Sequence, residues 1–292
     1  MTVTTAMIKE LRERTGLGML ECKGALTESN GDMEAAIESL RKKSSLKAAK
    51  KAGRTTADGL LGLKVAADGS RAALVEINIE TDFAAKNEKF KAFVEKMANA
   101  AFEIGESDPL AALNAQFNGE RETLVQEIGE NVAIRRAVVF AARDGGYVAH
   151  YLHGDQRKAS LVELSKTNVE LGRDIAMHVT AMNPMVVRGE DIAADVVAKE
   201  REIYTVQAAE SGKPADIVAK MVDGRIRKFL AESSLLEQPF VKDANTKVGQ
   251  LCKQAGVECR RLVRFEVGEG IAKEETDFAA EVAAQIKSSQ GG

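Results

Sequence analysis

The sequence predicts an α+β protein with helical modules around a duplicated core of small antiparallel sheets, and three observations carry that prediction. Apolar residues recur every three or four positions near the start and in the last third of the chain, whereas the middle alternates every second residue. The tripeptide Leu74-Val75-Glu76 returns as Leu161-Val162-Glu163 at a matching place in a second run of strands. A length of 292 residues, 45 % hydrophobic and 29 % charged, suits a soluble globular chain of about two packed cores.

Residues 4–54 read as three short helices and a tether. Ile8, Leu11 and Arg12 lead to Thr15-Gly16-Leu17-Gly18; Met19, Cys22 and Leu26 precede Asn30-Gly31-Asp32; Ala36, Ile37 and Leu40 close the third helix. From Arg41 to Arg54 come seven basic residues and no acidic one, which reads as a solvated helical tail or linker, with contact to an acidic partner or RNA as the alternative.

The period then becomes two. Leu61, Leu63 and Val65 run to an Asp68-Gly69 hairpin signal, Ala73–Ile79 return, and a helix from about Thr81 carries Phe83, Phe90, Phe93, Val94 and Met97. The second unit reads as Ala137–Ala141, a turn at Asp144-Gly145-Gly146, Val148–Leu152, Ser160–Leu164 and a helix over Val169–Met182. Each unit is thus expected as strand–strand–strand–helix, and packing the two together completes a core that neither sheet closes alone.

Between Glu190 and Ser234 the pattern is helical again, broken at Ser211-Gly212-Lys213-Pro214, so two helices of about 20 residues must lie antiparallel as an arm. Such an arm serves association or is a structural buttress. A last strand over Arg261–Val267 precedes Gly268-Glu269-Gly270 and a terminal helix from Thr276 to about Ile286.

The net charge of −3 excludes a global basic field, although residues 1–54 hold 11 Lys+Arg against 7 Asp+Glu and leave 30 against 37 for the rest. The three cysteines form no CxxC pair, no apolar leader opens the chain, and no run of about 18 apolar residues occurs, so a reduced, cytoplasmic protein without membrane contact is expected. Trp is absent and aromatics total 4 %, which argues against stacking on nucleic acid. No phosphate-cradling glycine motif, catalytic triad or metal cluster stands out; His150 and His153 fall on opposite faces of an extended segment, and His178 reads as a core or subunit-contact histidine. No enzyme activity, cofactor or metal is expected.

One hexapeptide occurs twice: Glu80-Thr81-Asp82-Phe83-Ala84-Ala85 and Glu275-Thr276-Asp277-Phe278-Ala279-Ala280. In both copies Thr suits an N-cap and Asp the first helical turn. A capped helix start is the plain reading; an aromatic wedge presented at a helix tip is the sharper one.

Lys9–Gly16, Gly18-Met19, Asn30-Gly31-Asp32 and Lys47–Gly53 resemble the ubiquitin-associated-like first domain of the bacterial elongation factor Ts family. Thr81-Asp82-Phe83, Ile175–Val179, Gln238–Val241 and Arg264–Gly270 are similar to the rest of that family, so the likeness spans nearly the whole chain. The resemblance implies a guanine-nucleotide exchange factor that binds the GTPase EF-Tu in its GDP-bound and nucleotide-free states. It implies that Thr81, Asp82, Phe83 and Ala84 dislodge Mg²⁺ from EF-Tu, with Phe83 as the wedge, and that Arg12, Met19, Leu20, His153 and Gly154 touch the partner. Ala84 and Leu20 stand where some members carry valine and methionine. It also implies a division into a partner-binding domain with basic linker (1–54), a core N-subdomain (55–140), a core C-subdomain (141–186 and 234–270), a coiled-coil arm (187–233) and a C-terminal helical module (271–292). A homodimer through the core or the arm stays open, as does the rival reading of an RNA- or ribosome-associated protein using residues 41–54.

Overall fold

The computed structural model describes residues 3–212 and 214–272. Three helices come first, α1 (Thr5–Thr15), α2 (Met19–Glu28) and α3 (Met33–Lys51), then strands β1 (Asp58–Val65) and β2 (Arg71–Ile79). Helices α4 (Asp82–Ala85), α5 (Glu88–Ile104) and α6 (Pro109–Ile128) lead to β3 (Val132–Ala141), β4 (Tyr147–Leu152) and β5 (Lys158–Leu164). Next follow α7 (Val169–Met182), α8 (Ala194–Ala209), α9 (Ala215–Ser233), the short pair β6 (Pro239–Phe240) and β7 (Asp243–Lys247), α10 (Val248–Ala255) and β8 (Cys259–Glu266).

Side-chain capping explains where the first and third helices begin. Thr4 accepts Met7 N–H, Gly16 ends α1 at φ 72°, and Asp32 accepts Ala35 N–H. Leu11, Leu17, Cys22, Leu26 and Leu40 pack between them. The expected solvated tail is instead the second half of α3, and one of its faces is covered. Ser44 and Ala48, small residues four apart, are buried where α6 lies alongside, and Ser44 Oγ donates to Gln126 Oε1 of α6. Helix α6 itself was not expected from the sequence.

The sheets are antiparallel with orders β1-β2-β3 and β4-β5-β8. The third strand of each follows its helices, so the repeated unit is strand–strand–helix–strand, and the expected placement of 137–141 in the second unit is corrected. The turn at Asp144-Gly145-Gly146 joins the two sheets and does not close a hairpin. Leu61, Leu74 and Phe140 of the first sheet meet Val148, Leu161 and Phe265 of the second in a shared core. The other faces are covered separately: Val75 and Ile77 meet Phe90, Val94 and Met97 of α5, while Val162 and Leu164 meet Ile175 and Val179 of α7. Coverage on both sides is why β2 is buried along nearly its whole length, Glu76 and Asn78 included.

Helices α8 and α9 pack through Val197, Tyr204 and Ala208 against Val218, Val222, Ile226 and Leu230. Gly212 turns the chain at φ 65°, and Pro214 takes the N-cap position of α9.

His178 is fully buried in α7, where Nδ1 accepts Val241 N–H (3.1 Å) and Nε2 therefore carries the proton that it donates to Gln238 Oε1 (2.9 Å). Burial holds its pKa below the ordinary 6.5, against the Gln238 bond that raises it, and His150 is shifted in the same direction by burial and by Arg173. A depressed folded value means that the unfolded chain takes up the proton first. The stability these histidines contribute is thus complete above pH 6.5 and drains as the pH falls below it. Calorimetric melting is expected to give a flat Tm between about pH 7 and 8 and a fall from about pH 6.5 to 5 that is shallower in His178→Gln.

Candidate functional site

The central strand of the first sheet ends at Ile79, and the chain turns there into the four residues of α4. Thr81 is extended (φ −126°, ψ 154°) and its Oγ1 accepts Ala84 N–H at 3.1 Å. Asn87 then caps α5 by accepting Lys89 N–H, so the single helix expected from Thr81 onward is two helices. The break separates the aromatics. Phe90 is fully buried, whereas Phe83 is 82 % exposed. Ala84 and Ala85 are buried and hold the foot of the turn, so Ala84 anchors the tip and leaves Phe83 and Asp82 facing outward. Asp82 pairs with Lys86 (2.9 Å), whose hydrogen bond and charge lower the carboxyl pKa from its usual value. A large aromatic presented on a protrusion is the kind of side chain that dominates protein interfaces once it is covered.

Three polar side chains outside the hexapeptide's exposed face brace the turn. Glu130 accepts Thr81 N–H at Oε2 (2.9 Å) and the Thr81 hydroxyl at Oε1 (2.8 Å). Glu80 Oε1 accepts Asn131 N–H (2.6 Å), and Asn131 Nδ2 donates to Arg54 O (3.2 Å). Sequence reasoning missed Glu130 and Asn131, because their partners lie about fifty residues upstream and no short-range pattern joins them.

The other expected contact residues are at the surface. Arg12 is exposed on α1, Met19 (57 %) and Leu20 (85 %) open α2, and His153 and Gly154 form the turn between β4 and β5. Two links bring these stretches toward the tip. Lys89, in the first turn of α5, donates to Gly16 O (3.1 Å) and pairs with Glu127, which seats the loop before Met19 beside α5. On the other flank Arg157 pairs with Asp58 (2.6 Å) and Leu61 N–H donates to Gln156 O (2.8 Å), which seats the His153 turn against β1. Asp58 stands opposite Ile79, two residues before Thr81. The second copy of the hexapeptide, 275–280, and the expected terminal helix lie outside the described residues.

A cleft of about 770 Å³ lies between α1 and α3 on one side and α5 and α6 on the other. Three of the basic residues that line it are paired, Arg14 with Glu34, Lys89 with Glu127 and Lys96 with Glu120. Among the described residues no group of three or more His, Cys, Asp or Glu side chains could hold a metal ion, and no helix is long and apolar enough to cross a membrane. Cys22, Cys252 and Cys259 are buried free thiols, and burial pushes Cys252 up to about 11. Of the seven basic side chains over 41–54, five have partners within the chain: Lys42 with Glu38, Lys43 with Glu28, Lys47 with Glu21, Lys51 with Gly129 O and Arg54 with Glu80. Four of these charges thus face a carboxylate, which reduces the unpaired charge the segment offers an RNA backbone.

Residues 80–269 match the family described as Elongation factor TS. The chain is 56 % identical over 285 residues to the elongation factor Ts of Hahella chejuensis, covering 98 % of this chain and 99 % of that one. It is 54 % identical over 290 residues to that of Saccharophagus degradans, with 99 % and 100 % covered, and 53 % identical over 292 residues to that of Teredinibacter turnerae, with 100 % and 99 % covered. The matched residues include the tip, Glu80, Glu130 and Asn131 of its brace, and the strands from β3 onward, and by both measures the chain belongs to the elongation factor Ts family of translation elongation factors.

Proposed function

We propose that the chain is a guanine-nucleotide exchange factor for EF-Tu, and the observation that carries the reading is Phe83, exposed on a capped turn that the buried Ala84 and Ala85 anchor. In this reading Thr81, Asp82, Phe83 and Ala84 form the element that dislodges Mg²⁺ from the partner. Phe83 enters as the wedge, Asp82 is its polar neighbour, and Thr81 and Ala84 hold the turn. Arg12, Met19, Leu20, His153 and Gly154 make the flanking contacts that orient it. The same reading divides the chain into a ubiquitin-associated-like domain (1–54), the two core subdomains, a coiled-coil arm (187–233) and a C-terminal module (271–292).

No covalent step is needed. Mg²⁺ demands near-ideal octahedral geometry and bridges nucleotide phosphates to protein, so a small displacement of its ligands weakens both ion and nucleotide. A protein that binds the nucleotide-free state of a GTPase more tightly than the GDP-bound state must, by reciprocity, lower the affinity for GDP by the same factor. GTP then fills the emptied site.

Stopped-flow release of fluorescently labelled GDP from EF-Tu tests this directly. Release should accelerate at concentrations of the chain far below that of EF-Tu, because each molecule acts repeatedly. An unchanged release rate would overturn the reading, and tight, steeply salt-dependent binding to RNA would favour the rival one.

A further inference from the structure

We infer that Glu130 is a positioning residue for the tip: its carboxylate fixes Thr81, and through Thr81 the direction in which Phe83 leaves the core. The inference rests on the exchange reading above, which gives the tip its task and Glu130 none. A four-residue helix is too short to hold its own orientation, since forming a single turn costs more than its one or two hydrogen bonds return. Something outside the turn has to hold it.

Two consecutive pairs of residues do so reciprocally. Glu130 takes the backbone N–H of Thr81, and Glu80 takes the backbone N–H of Asn131. Each carboxylate thereby satisfies a donor of the other pair at a point where the ladder has ended and no strand partner is left. Glu130 does more than close this clamp. By accepting the Thr81 hydroxyl proton (2.8 Å) it commits that hydroxyl as a donor on one side, which turns its lone pairs toward Ala84 N–H (3.1 Å). One carboxylate thus sets the backbone entry, the hydroxyl rotor and the helix cap. Phe83 lies inside the capped turn, so its exit direction follows. Asn131 extends the brace toward the first helical module through Ala52 O and Arg54 O.

Glu130→Gln keeps the shape and leaves one acceptor oxygen where two donors of Thr81 must be met. In the free variant the Thr81 and Ala84 amides should exchange with solvent about tenfold faster while the Ile77 amide, in the ladder, is unchanged. In labelled-GDP release from EF-Tu the maximal stimulated rate should fall about tenfold, with the half-saturating concentration of the chain changed less than about twofold, because the flanking contacts are intact. Thr81→Val, which removes the hydroxyl and leaves Glu130 in place, should lower the maximal rate similarly, and the double variant should lose little more than the worse single one. A merely structural Glu130 would lower Tm and leave the saturated rate alone. Parental amide exchange and parental maximal rate in Glu130→Gln, alongside lost stimulation in Phe83→Ala, would overturn the role of Glu130 and leave the exchange reading standing. Full stimulation by Phe83→Ala would overturn the exchange reading and with it the task assigned to Glu130, whatever the amides report.

Discussion

Replacing Glu76 by alanine is expected to cost about 3 kcal/mol or more of unfolding free energy, and replacing Glu163 a similar amount, within about 1 kcal/mol of each other. Both carboxylates are fully buried at matching places on the facing sides of the two sheets. Glu76 Oε1 accepts from Arg135 Nη1 (3.0 Å) and from Gly268 N–H (2.9 Å), and Oε2 accepts from Arg136 Nε. Glu163 Oε1 accepts Arg143 N–H (2.9 Å) and faces Arg260 Nη1 (3.6 Å), and Oε2 accepts from Arg261 Nε. In both sheets the register shifts beside the glutamate, between Glu76 and Ile77 and between Glu163 and Leu164. That bulge brings two consecutive arginines to one carboxylate.

The arginines also cross between sheets. Arg136 Nη2 donates to Glu266 O (2.8 Å) and lies 4.3 Å from the centre of the Phe265 ring; Arg261 Nη2 donates to Ala141 O (2.8 Å) and lies 4.0 Å from that of Phe140. Removing either glutamate takes the buried carboxylate from two guanidinium groups and leaves a backbone N–H without its acceptor; the arginines' partial exposure and the remaining partners of Arg136 (Glu269) and Arg261 (Glu106) keep the expected loss at the lower end of the range for broken buried pairs. Urea unfolding of the two variants checks it. A loss below about 1 kcal/mol in either would mean that water replaces the carboxylate without penalty.

The second large effect is functional. Phe83→Ala should leave Tm within about a degree of the parent, because an 82 % exposed side chain contributes little to the folded core. The same change should lower stimulated GDP release from EF-Tu roughly a hundredfold, the scale of a dominant interface aromatic. Phe83→Leu, which keeps apolar bulk and loses the ring, should fall between. A parental release rate in Phe83→Ala would leave the tip without a role, whereas a large drop in Tm would mean that the ring packs on the core after all.

Much of this architecture was legible in the chain itself. The period of three to four marks α1, α2, α5, α7 and the helices of the arm, the period of two marks most strands of the two large sheets, and Thr81 reads as a cap; Phe83, however, falls in the same apolar series as Phe90, and only the break at Asn87 separates the two. Strand pairing was less legible. Arg135-Arg136-Ala137-Val138-Val139-Phe140 and Arg260-Arg261-Leu262-Val263-Arg264-Phe265 share two arginines and a phenylalanine at the same spacing, which marks 132–141 and 259–266 as equivalent third strands. The intervening helices differ in number and length and hide that repeat. Helix α6 was missed for another reason: its apolar residues are spread around the barrel and its buried neighbours come from α3, α5 and β3.

What the sequence by itself determined depends on neighbours within about one turn or one strand: where most helices begin, which face of each is apolar, and that Thr81 suits a cap. Tertiary structure alone decided which third strand joins which sheet, which face of the basic half of α3 is covered, and that Glu130 holds Thr81. Those outcomes are contacts between residues tens of positions apart, made when two buried surfaces close and every polar group trapped between them must find a partner. No local periodicity encodes that matching, since it depends on which surfaces meet.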